Sequence, residues 1–159
     1  HSIRRKMIEY AIENGISMRV WGGYREHFVG SPIARRWQGQ VWGEEQIKAL
    51  RAAKIGLNFH VDHRPGELDR GLNVRAFELP ACGVFQLMQR VPGVGEFFEV
   101  GKELVCFDSK EERLEKLEYY LAHDEERDLI AQAGHDRVLR DHTWANRVEK
   151  MAQYISQLE

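Results

Sequence analysis

Cysteine, proline and excess charge of either sign are scarce in this sequence. Its 159 residues include 2 cysteines and 4 prolines, and 23 basic residues nearly balance 25 acidic ones. Cys82 and Cys106 both sit in apolar stretches, so they are expected to be buried free thiols rather than a disulfide. The net charge of -2 at pH 7 gives no electrostatic reason to expect nucleic acid or an anionic membrane as a partner.

Long apolar runs and a secretory signal pattern are also missing. No segment approaches the length of a bilayer crossing, so we expect no membrane span and a cytoplasmic location, where thiols stay reduced. Hydrophobic residues make up 43% of the chain, which suits one domain with one sizeable core. No repeat, low-complexity tract or linker divides residues 1–159. Because an amphipathic helix opens the chain with no strand before it, we expect the sequence to begin within a fold.

Strand and helix patterns alternate along the chain. Short apolar runs predict strands, and apolar residues at helical spacing predict helices. The strands are predicted at 16–21, 40–42, 54–59, 84–88 and 103–107, the helices at 3–14, 44–53 and 73–83, and an irregular loop at 24–40. This alternation predicts an α/β fold with a mostly parallel sheet.

The C-terminal third is predicted to be helical. Ser109 and Glu112 have the spacing of a capping box, and Asp124 and Thr143 are the expected N-caps of two further helices. In the last helix, four large apolar residues fall on one stripe, which we expect to pack into the core. These residues are Trp144, Val148, Met151 and Ile155.

The loop at 60–71 carries the richest set of polar groups. It follows a strand, and ligands of parallel sheets bind outside the carboxyl ends of the strands. Gly71 precedes a predicted helix, where free backbone N–H groups favour an anion such as a pyrophosphate. Arg70 or Arg75 could neutralise this phosphate, and Glu78 could accept hydrogen bonds from the vicinal hydroxyls of a ribose. A solvated loop with ordinary surface charges is an equally good interpretation of the composition.

His60 directly follows a buried strand and could donate a hydrogen bond to a substrate, or link two loops. Together with Asp62 and His63 it does not predict a metal site, because the three lie too close together and no cysteine joins them. The glycine-rich phosphate-binding motifs and the nucleophile elbow are not found in the sequence.

Two pairs of residues nearer the N-terminus are further candidates. Gly22 and Gly23 end a predicted strand, where they allow close approach of the backbone to a ligand or simply a tight turn. Arg4 and Arg5 are interpreted as phosphate contacts or as ordinary charges on a helix surface.

Segment 73–83, NVRAFELPACG, resembles the donor-site segment of GT-B glycosyltransferases, in which a glutamate precedes a run of small residues ending in A-C-G. With AKIGLNFH at 53–60, it resembles the subgroup of spore-maturation-type glycosyltransferase-like proteins. RVWGG at 19–23 and the stretch 103–151, with its closing "T-W" helix, extend the similarity to roughly 15–157. The resemblance implies a Rossmann-like three-layer α/β/α domain, the C-terminal lobe of a GT-B enzyme.

This resemblance also implies a function. The lobe would bind a nucleotide-diphosphate sugar, without a metal or other cofactor, for hexosyl transfer to a glycan, a protein or a small molecule. Glu78 matches the glutamate that holds the donor ribose, while Gly71 to Asn73 would supply backbone donors. Arg70 stands where the main retaining families carry a second glutamate, and Asn73 where they often have glycine. The N-terminal acceptor lobe and the family's first strand would precede His1, so this chain alone is expected to be inactive.

Several alternatives remain open at this point. A sugar-nucleotide epimerase can share the same architecture. A non-catalytic interaction module would keep the fold without the site, and Arg70 at the expected glutamate position favours this alternative. A flavodoxin-like receiver or nucleotide-binding domain is disfavoured, because no acidic cluster follows the first predicted strand. The catalytic residue is not identified by any of these patterns.

Overall fold

Three parallel strands form the sheet in the computed structural model, which describes residues 2–60 and 72–157. They are β1 (Ile55–Asn58), β2 (Phe85–Gln89) and β3 (Val105–Phe107), arranged in the order β1-β2-β3. Leu87 of β2 lies opposite both Leu57 of β1 and Val105 of β3, so the central strand is paired along both edges. All three strands were predicted from their short apolar runs, and the parallel sheet is confirmed.

Helices surround and connect these strands. They are α1 (Ser2–Glu13), α2 (Gly43–Arg51), α3 (Arg75–Ala81), α4 (Lys110–Ala122), α5 (Asp124–Asp141) and α6 (Trp144–Ser156), with 3-10 turns at Arg25–Phe28, Pro32–Arg35 and Val94–Glu96. The predicted helices are confirmed, including the shortness of α3, which contains Pro80. In the part of the chain that the structure describes, no helix has both the length and the apolar character of a membrane span.

The core lies on both faces of the sheet. Adjacent residues of a strand point to opposite faces, and Leu87 and Met88 accordingly belong to separate buried clusters. Leu87 packs in the cluster that contains Ala11 of α1 and Leu117 of α4. Met88 packs in the cluster that contains Ala76 of α3. Helices therefore cover both faces, which confirms the predicted three-layer α/β/α arrangement.

Two of the predicted strands do not form. Residues 16–21 make only an isolated parallel bridge, in which Val20 pairs with Trp37, and 40–42 is not a strand. An apolar pattern can predict that a segment is buried, but an extended segment becomes a strand only where a partner offers a ladder. The second segment also lies between Gly39 and Gly43, whose positive φ angles of 98° and 55° interrupt an extended backbone.

Three helix starts differ in their agreement with prediction. Thr143 caps α6 in a complete capping box with Asn146. Ser109 caps α4 as predicted, but the carboxylate of Glu112 accepts its hydrogen bond from the backbone of Asp108, at 2.6 Å. The prediction for Asp124 is wrong, because this residue is the first of α5 and its side chain binds Lys54 and Arg127 instead of capping the helix.

The interpretation of the last helix as core packing is also wrong. None of the residues of α6 is buried, and the four stripe residues Trp144, Val148, Met151 and Ile155 are exposed by 78%, 62%, 63% and 58%. Helical periodicity predicts that an apolar helix face packs against another surface, but it does not show which surface that is. Among the described residues nothing packs over this face.

Helix α5 approaches the backbone before β3 very closely at Gly134. A Cβ atom placed on Gly134 would clash with the carbonyl oxygen of Glu103 and would also lie 3.4 Å from Cβ of Pro80. The next residue, His135, donates a hydrogen bond from Nδ1 to the carbonyl oxygen of Pro80, at 2.9 Å. The missing side chain therefore lets α5 lie directly against α3 and the residues that lead into β3.

Substitution of Gly134 by alanine should destabilise the fold. Alanine in a helix interior normally adds about 1 kcal/mol relative to glycine, but here the added methyl group meets a backbone atom, so we expect a net loss of about 1–3 kcal/mol. Urea denaturation measures the difference. Gly95→Ala is the control, because its Cβ would meet no atom within 4 Å. Equal stability of Gly134→Ala and the wild type would contradict this packing of α5.

Candidate functional site

Two asparagines join the carboxyl end of β1 to the start of α3. Asn58 is only 2% exposed. Its amide nitrogen donates to Oδ1 of Asn73, and that of Asn73 donates to Oδ1 of Asn58, both at 3.0 Å. Oδ1 of Asn73 also accepts from the backbone N–H of Ala76, at 3.1 Å. The side chain of Asn73 is thus occupied in placing α3. The backbone donor that Asn73 was predicted to offer a ligand stays a prediction.

Arg75 and Glu78 form an ion pair on the surface of α3. Nε of Arg75 lies 3.5 Å from Oε2 of Glu78, and the two side chains are 43% and 41% exposed. Ion pairs exposed to this degree contribute about 0–1 kcal/mol. A ligand could therefore separate the two side chains at little cost, which leaves a guanidinium and a carboxylate available side by side.

Of the remaining candidate residues in the 60–71 loop, the structure describes only His60. His60 is half-buried directly after Phe59. Arg70 and Gly71 lie outside the described residues, so the predicted phosphate contacts there stay predictions.

The two glycines at 22 and 23 form a turn that is held by side chains from the following loop. Their φ angles are +86° and +65°, which favour glycine. The carbonyl oxygen of Gly22 accepts from Nε1 of Trp37 at 2.9 Å, and that of Gly23 accepts from Nε2 of Gln40 at 3.0 Å. The two φ angles fit the tight-turn interpretation, and a ligand contact at these glycines stays a prediction.

Arg4 and Arg5 belong to a different neighbourhood from α3. Arg5 pairs with Glu9 at 2.8 Å and donates to the carbonyl oxygen of His27 at 3.1 Å, whereas Arg4 is exposed. Helix α1 packs on the 3-10 turn Pro32–Arg35 and on α4, while α3 packs on β1, β2 and α5. The structure thus groups Asn73, Arg75 and Glu78, and a phosphate contact by Arg4 stays a prediction.

A charged network at the ends of β2 and β3 was not predicted. Nε of Arg90 donates to both carboxylate oxygens of Asp108, at 3.1 and 2.9 Å, and this hydrogen bond raises the pKa of Arg90. Lys116 donates to the carbonyl oxygen of Cys106 and to Glu112, both at 2.6 Å. Arg90 and Asp108 each directly follow a strand, so their positions in the sequence were the available signal. They place a guanidinium paired with a carboxylate at the carboxyl edge of the sheet.

The cysteines do not supply a nucleophile to this edge. Both are free, and Cys106 is buried while Cys82 is half-buried. Burial raises the pKa of Cys82, and it raises the pKa of Cys106 to about 11, so that this thiol stays protonated at neutral pH.

An aromatic cluster packs against α3 on the side of Phe77, and sequence patterns did not predict it. The ring of Phe77 lies 5.8 Å from Phe97, 5.6 Å from Phe98 and 5.3 Å from His142. His142 donates from Nε2 to the carbonyl oxygen of Phe97, at 3.1 Å. We define the aromatic cluster as Phe77, Phe97, Phe98 and His142. It connects α3, the loop before β3 and the junction of α5 and α6.

The stability of the fold should depend on pH through His142. Burial lowers the pKa of His142 below its ordinary value, so the unfolded chain binds this proton more strongly than the folded chain. The stability is then complete above the ordinary histidine pKa of about 6.5 and is lost as pH falls through the lower folded value. Denaturation of the wild type and His142→Gln from pH 7.5 to 5 should show a shallower loss in the variant. Parallel curves would contradict this assignment.

The chain is similar to a known family in sequence and to a solved structure in fold. A family model described as glycosyl transferase-like matches residues 4–153. A solved structure of sucrose-phosphate synthase from Thermosynechococcus elongatus matches with a TM-score of 0.73 and 15% identity, over 97% of this chain and 42% of that chain. No curated protein matches significantly. The chain spans less than half the length of the synthase, and at this identity the likeness shows a shared fold.

Proposed function

Because this chain belongs to the glycosyl transferase-like family, with the Rossmann-like fold of a GT-B C-terminal lobe, we propose that it binds a nucleotide-diphosphate sugar as the donor of a hexosyl transfer. The observation that carries this proposal is the half-exposed Arg75–Glu78 pair on α3, the helix whose start Asn73 ties to the carboxyl end of β1. The acceptor would be a glycan, a protein or a small molecule, and the chain would use no resident cofactor. A cytoplasmic location is part of the proposal, because both cysteines are free thiols.

The two members of the pair suit different parts of such a donor. The carboxylate of Glu78 accepts hydrogen bonds from vicinal ribose hydroxyls, which carboxylates do in other nucleotide sites. The guanidinium of Arg75 neutralises a phosphate with its fork of donors. Charge that develops on the departing diphosphate would be stabilised by cations at this edge, and Arg90 is a second one there. The residues that act on the acceptor lie outside this proposal.

Nucleotide binding should depend on Glu78 and is best tested by thermal shift. A panel of nucleoside diphosphates and their sugars is added to the wild type, to Glu78→Ala and to Glu115→Ala. A ligand at about 100 times its Kd adds roughly 2.7 kcal/mol, so nucleotides of one base should raise the Tm of the wild type. Glu78→Ala should lose this rise. Glu115→Ala, which removes an exposed carboxylate on α4, should keep it.

The outcome also decides between the proposal and its main alternative. A rise that persists in Glu78→Ala would remove Glu78 from the site. No rise with any nucleotide, here and in the longest polypeptide that contains this lobe, would favour a non-catalytic interaction module. Arg70 at the position of the second family glutamate is the observation that favours this alternative.

The proposal includes a preceding strand beside β1. Strand β1 is hydrogen-bonded to β2 along one edge and is an outer strand of the sheet among the described residues. An open strand edge presents unpaired N–H and C=O groups that readily accept another strand. The family's first strand, expected before His1, would fit there.

The proposal also includes an N-terminal lobe that covers α6. The exposed residues Trp144, Val148, Met151 and Ile155 follow one another at spacings of four, three and four, which is the pattern of a helix-packing seam. We call these four residues the α6 seam. One such seam is smaller than the roughly 800 Å² per partner that stable dimers bury. A lobe on the same polypeptide needs less contact area, because the linkage supplies a high effective concentration.

Charge placed in the α6 seam should act only where the second lobe is present. Val148→Asp with Met151→Asp should leave the Tm of this lobe nearly unchanged, because both side chains are exposed. In the two-lobed polypeptide the same change should lower the Tm and the transferase activity. Gln153→Asp, on the opposite side of α6, is the control. Equal effects on the lobe alone and on the two-lobed polypeptide would contradict a role in lobe contact.

A further inference from the structure

We propose that Arg147 of α6 is a positioning residue for α3, so that the placement of α6 controls the affinity of the lobe for nucleotide. This inference rests on the proposed function of Glu78. Cζ of Arg147 lies 4.6 Å from the centre of the Phe77 ring, and Phe77 directly precedes Glu78. A guanidinium over an aromatic face at this distance is an attractive contact.

Helix α6 is anchored at its first turn, which gives Arg147 a defined place. The side chain and backbone of Thr143 bond with Asn146 in the capping box. Nδ2 of Asn146 also donates to the carbonyl oxygen of Arg140, at 3.2 Å, which ties this turn to the end of α5. Arg147 follows directly and is half-buried, whereas the four residues of the α6 seam are exposed. The first turn of α6 therefore links the position of this helix to the end of α5 and, through Arg147, to Phe77 of α3.

Helix α3 is fixed at both ends, and Phe77 lies between the two fixed points. Asn73 holds the N-terminal end through the backbone of Ala76, and His135 holds the carbonyl oxygen of Pro80 near the C-terminal end. Buried Ala76 and Leu79 pack the inner side of α3, and the contacts of Phe77 hold the side of the helix next to Glu78. Because Glu78 is next to Phe77 on a short helix, a rotation that moves the ring also moves the carboxylate.

The other three residues of the aromatic cluster also contact the ring of Phe77. Phe97 is held through its carbonyl oxygen, which accepts from Nε of Arg137 at 2.9 Å and from His142 at 3.1 Å. Phe77 thus contacts Arg147 and also rings whose own position is fixed by hydrogen bonds. Removal of half-buried Arg147 takes one contact away from this ring and removes no side chain from the buried core of the sheet.

Isothermal titration with the nucleoside diphosphate that binds the wild type tests the proposal. Arg147→Ala should raise the Kd about two- to fivefold, the size expected for loss of one such contact. Arg147→Lys keeps a cation over Phe77 and should restore most of the affinity. Lys150→Ala removes an exposed cation from the same helix and is the matched control. The measurements are made well below the Tm of each variant, so that all of them are folded.

A double-mutant comparison separates positioning from a general structural effect. In a Glu78→Gln background, Arg147→Ala should have no further effect on the Kd, because its influence runs through the carboxylate. An unchanged Kd in Arg147→Ala, with binding still dependent on Glu78, would overturn the positioning role and leave the proposed function intact.

Hydrogen exchange supplies a readout that needs no nucleotide. Amide exchange within α3 should be faster in Arg147→Ala than in the wild type, with α2 unchanged. If no nucleotide binds the wild type, the proposed function fails while faster exchange in α3 still supports the contact. Unchanged exchange in α3 would overturn the positioning role independently of any ligand.

Discussion

The amide pair between Asn58 and Asn73 is the contact on which the arrangement of the site depends. A buried asparagine side chain must be hydrogen-bonded, since an unpaired amide in an apolar surrounding is costly. Asn58 meets this requirement through Asn73, which then offers its carbonyl oxygen to the first turn of α3. The end of β1 therefore determines where α3 begins. Through α3 it also determines where Arg75 and Glu78 stand.

The interior of the lobe places a second constraint on the same helix. Gly134 allows α5 to reach the backbone at Glu103, and His135 then bonds to the end of α3. On the other face of the sheet, the buried guanidinium of Arg113 lies 5.6 Å from the rings of both Phe59 and Phe107 and donates to the carbonyl oxygen of Met7. Burial lowers the pKa of Arg113, yet a guanidinium stays charged at any physiological pH. The buried charge of Arg113 is thus held by aromatic faces and a backbone oxygen, whereas buried Arg127 pairs with the carboxylates of Asp124 and Asp128.

Agreement between sequence and structure was best where neighbouring residues in the chain are enough to determine the local structure. Strands β1 to β3 are short apolar runs, and Thr143 caps α6 with its own side chain, so both were predictable. The α6 seam was wrongly assigned to the core. Helical periodicity shows that a helix has an apolar face, but it does not show which part of the protein packs against that face. Residues 16–21 were assigned to a strand although their pairing depends on a partner elsewhere. The site shows the same division: Glu78 was singled out from its motif, but its pairing with Arg75 and the contact of Phe77 with Arg147 join residues through the fold.

The sequence by itself determined the fold class, the family resemblance and the identity of the charged groups on α3. These follow from periodicity, from ordered motifs and from residue type, which need no knowledge of distant contacts. Only the tertiary structure decided that Asn73 serves the fold, that Arg5 bonds back to Glu9 and His27, and that α6 presents an uncovered apolar seam. Hydrogen bonds and burial depend on distances between segments far apart in the chain. Those distances are set by the packing of helices on both faces of the sheet, and no local pattern contains them.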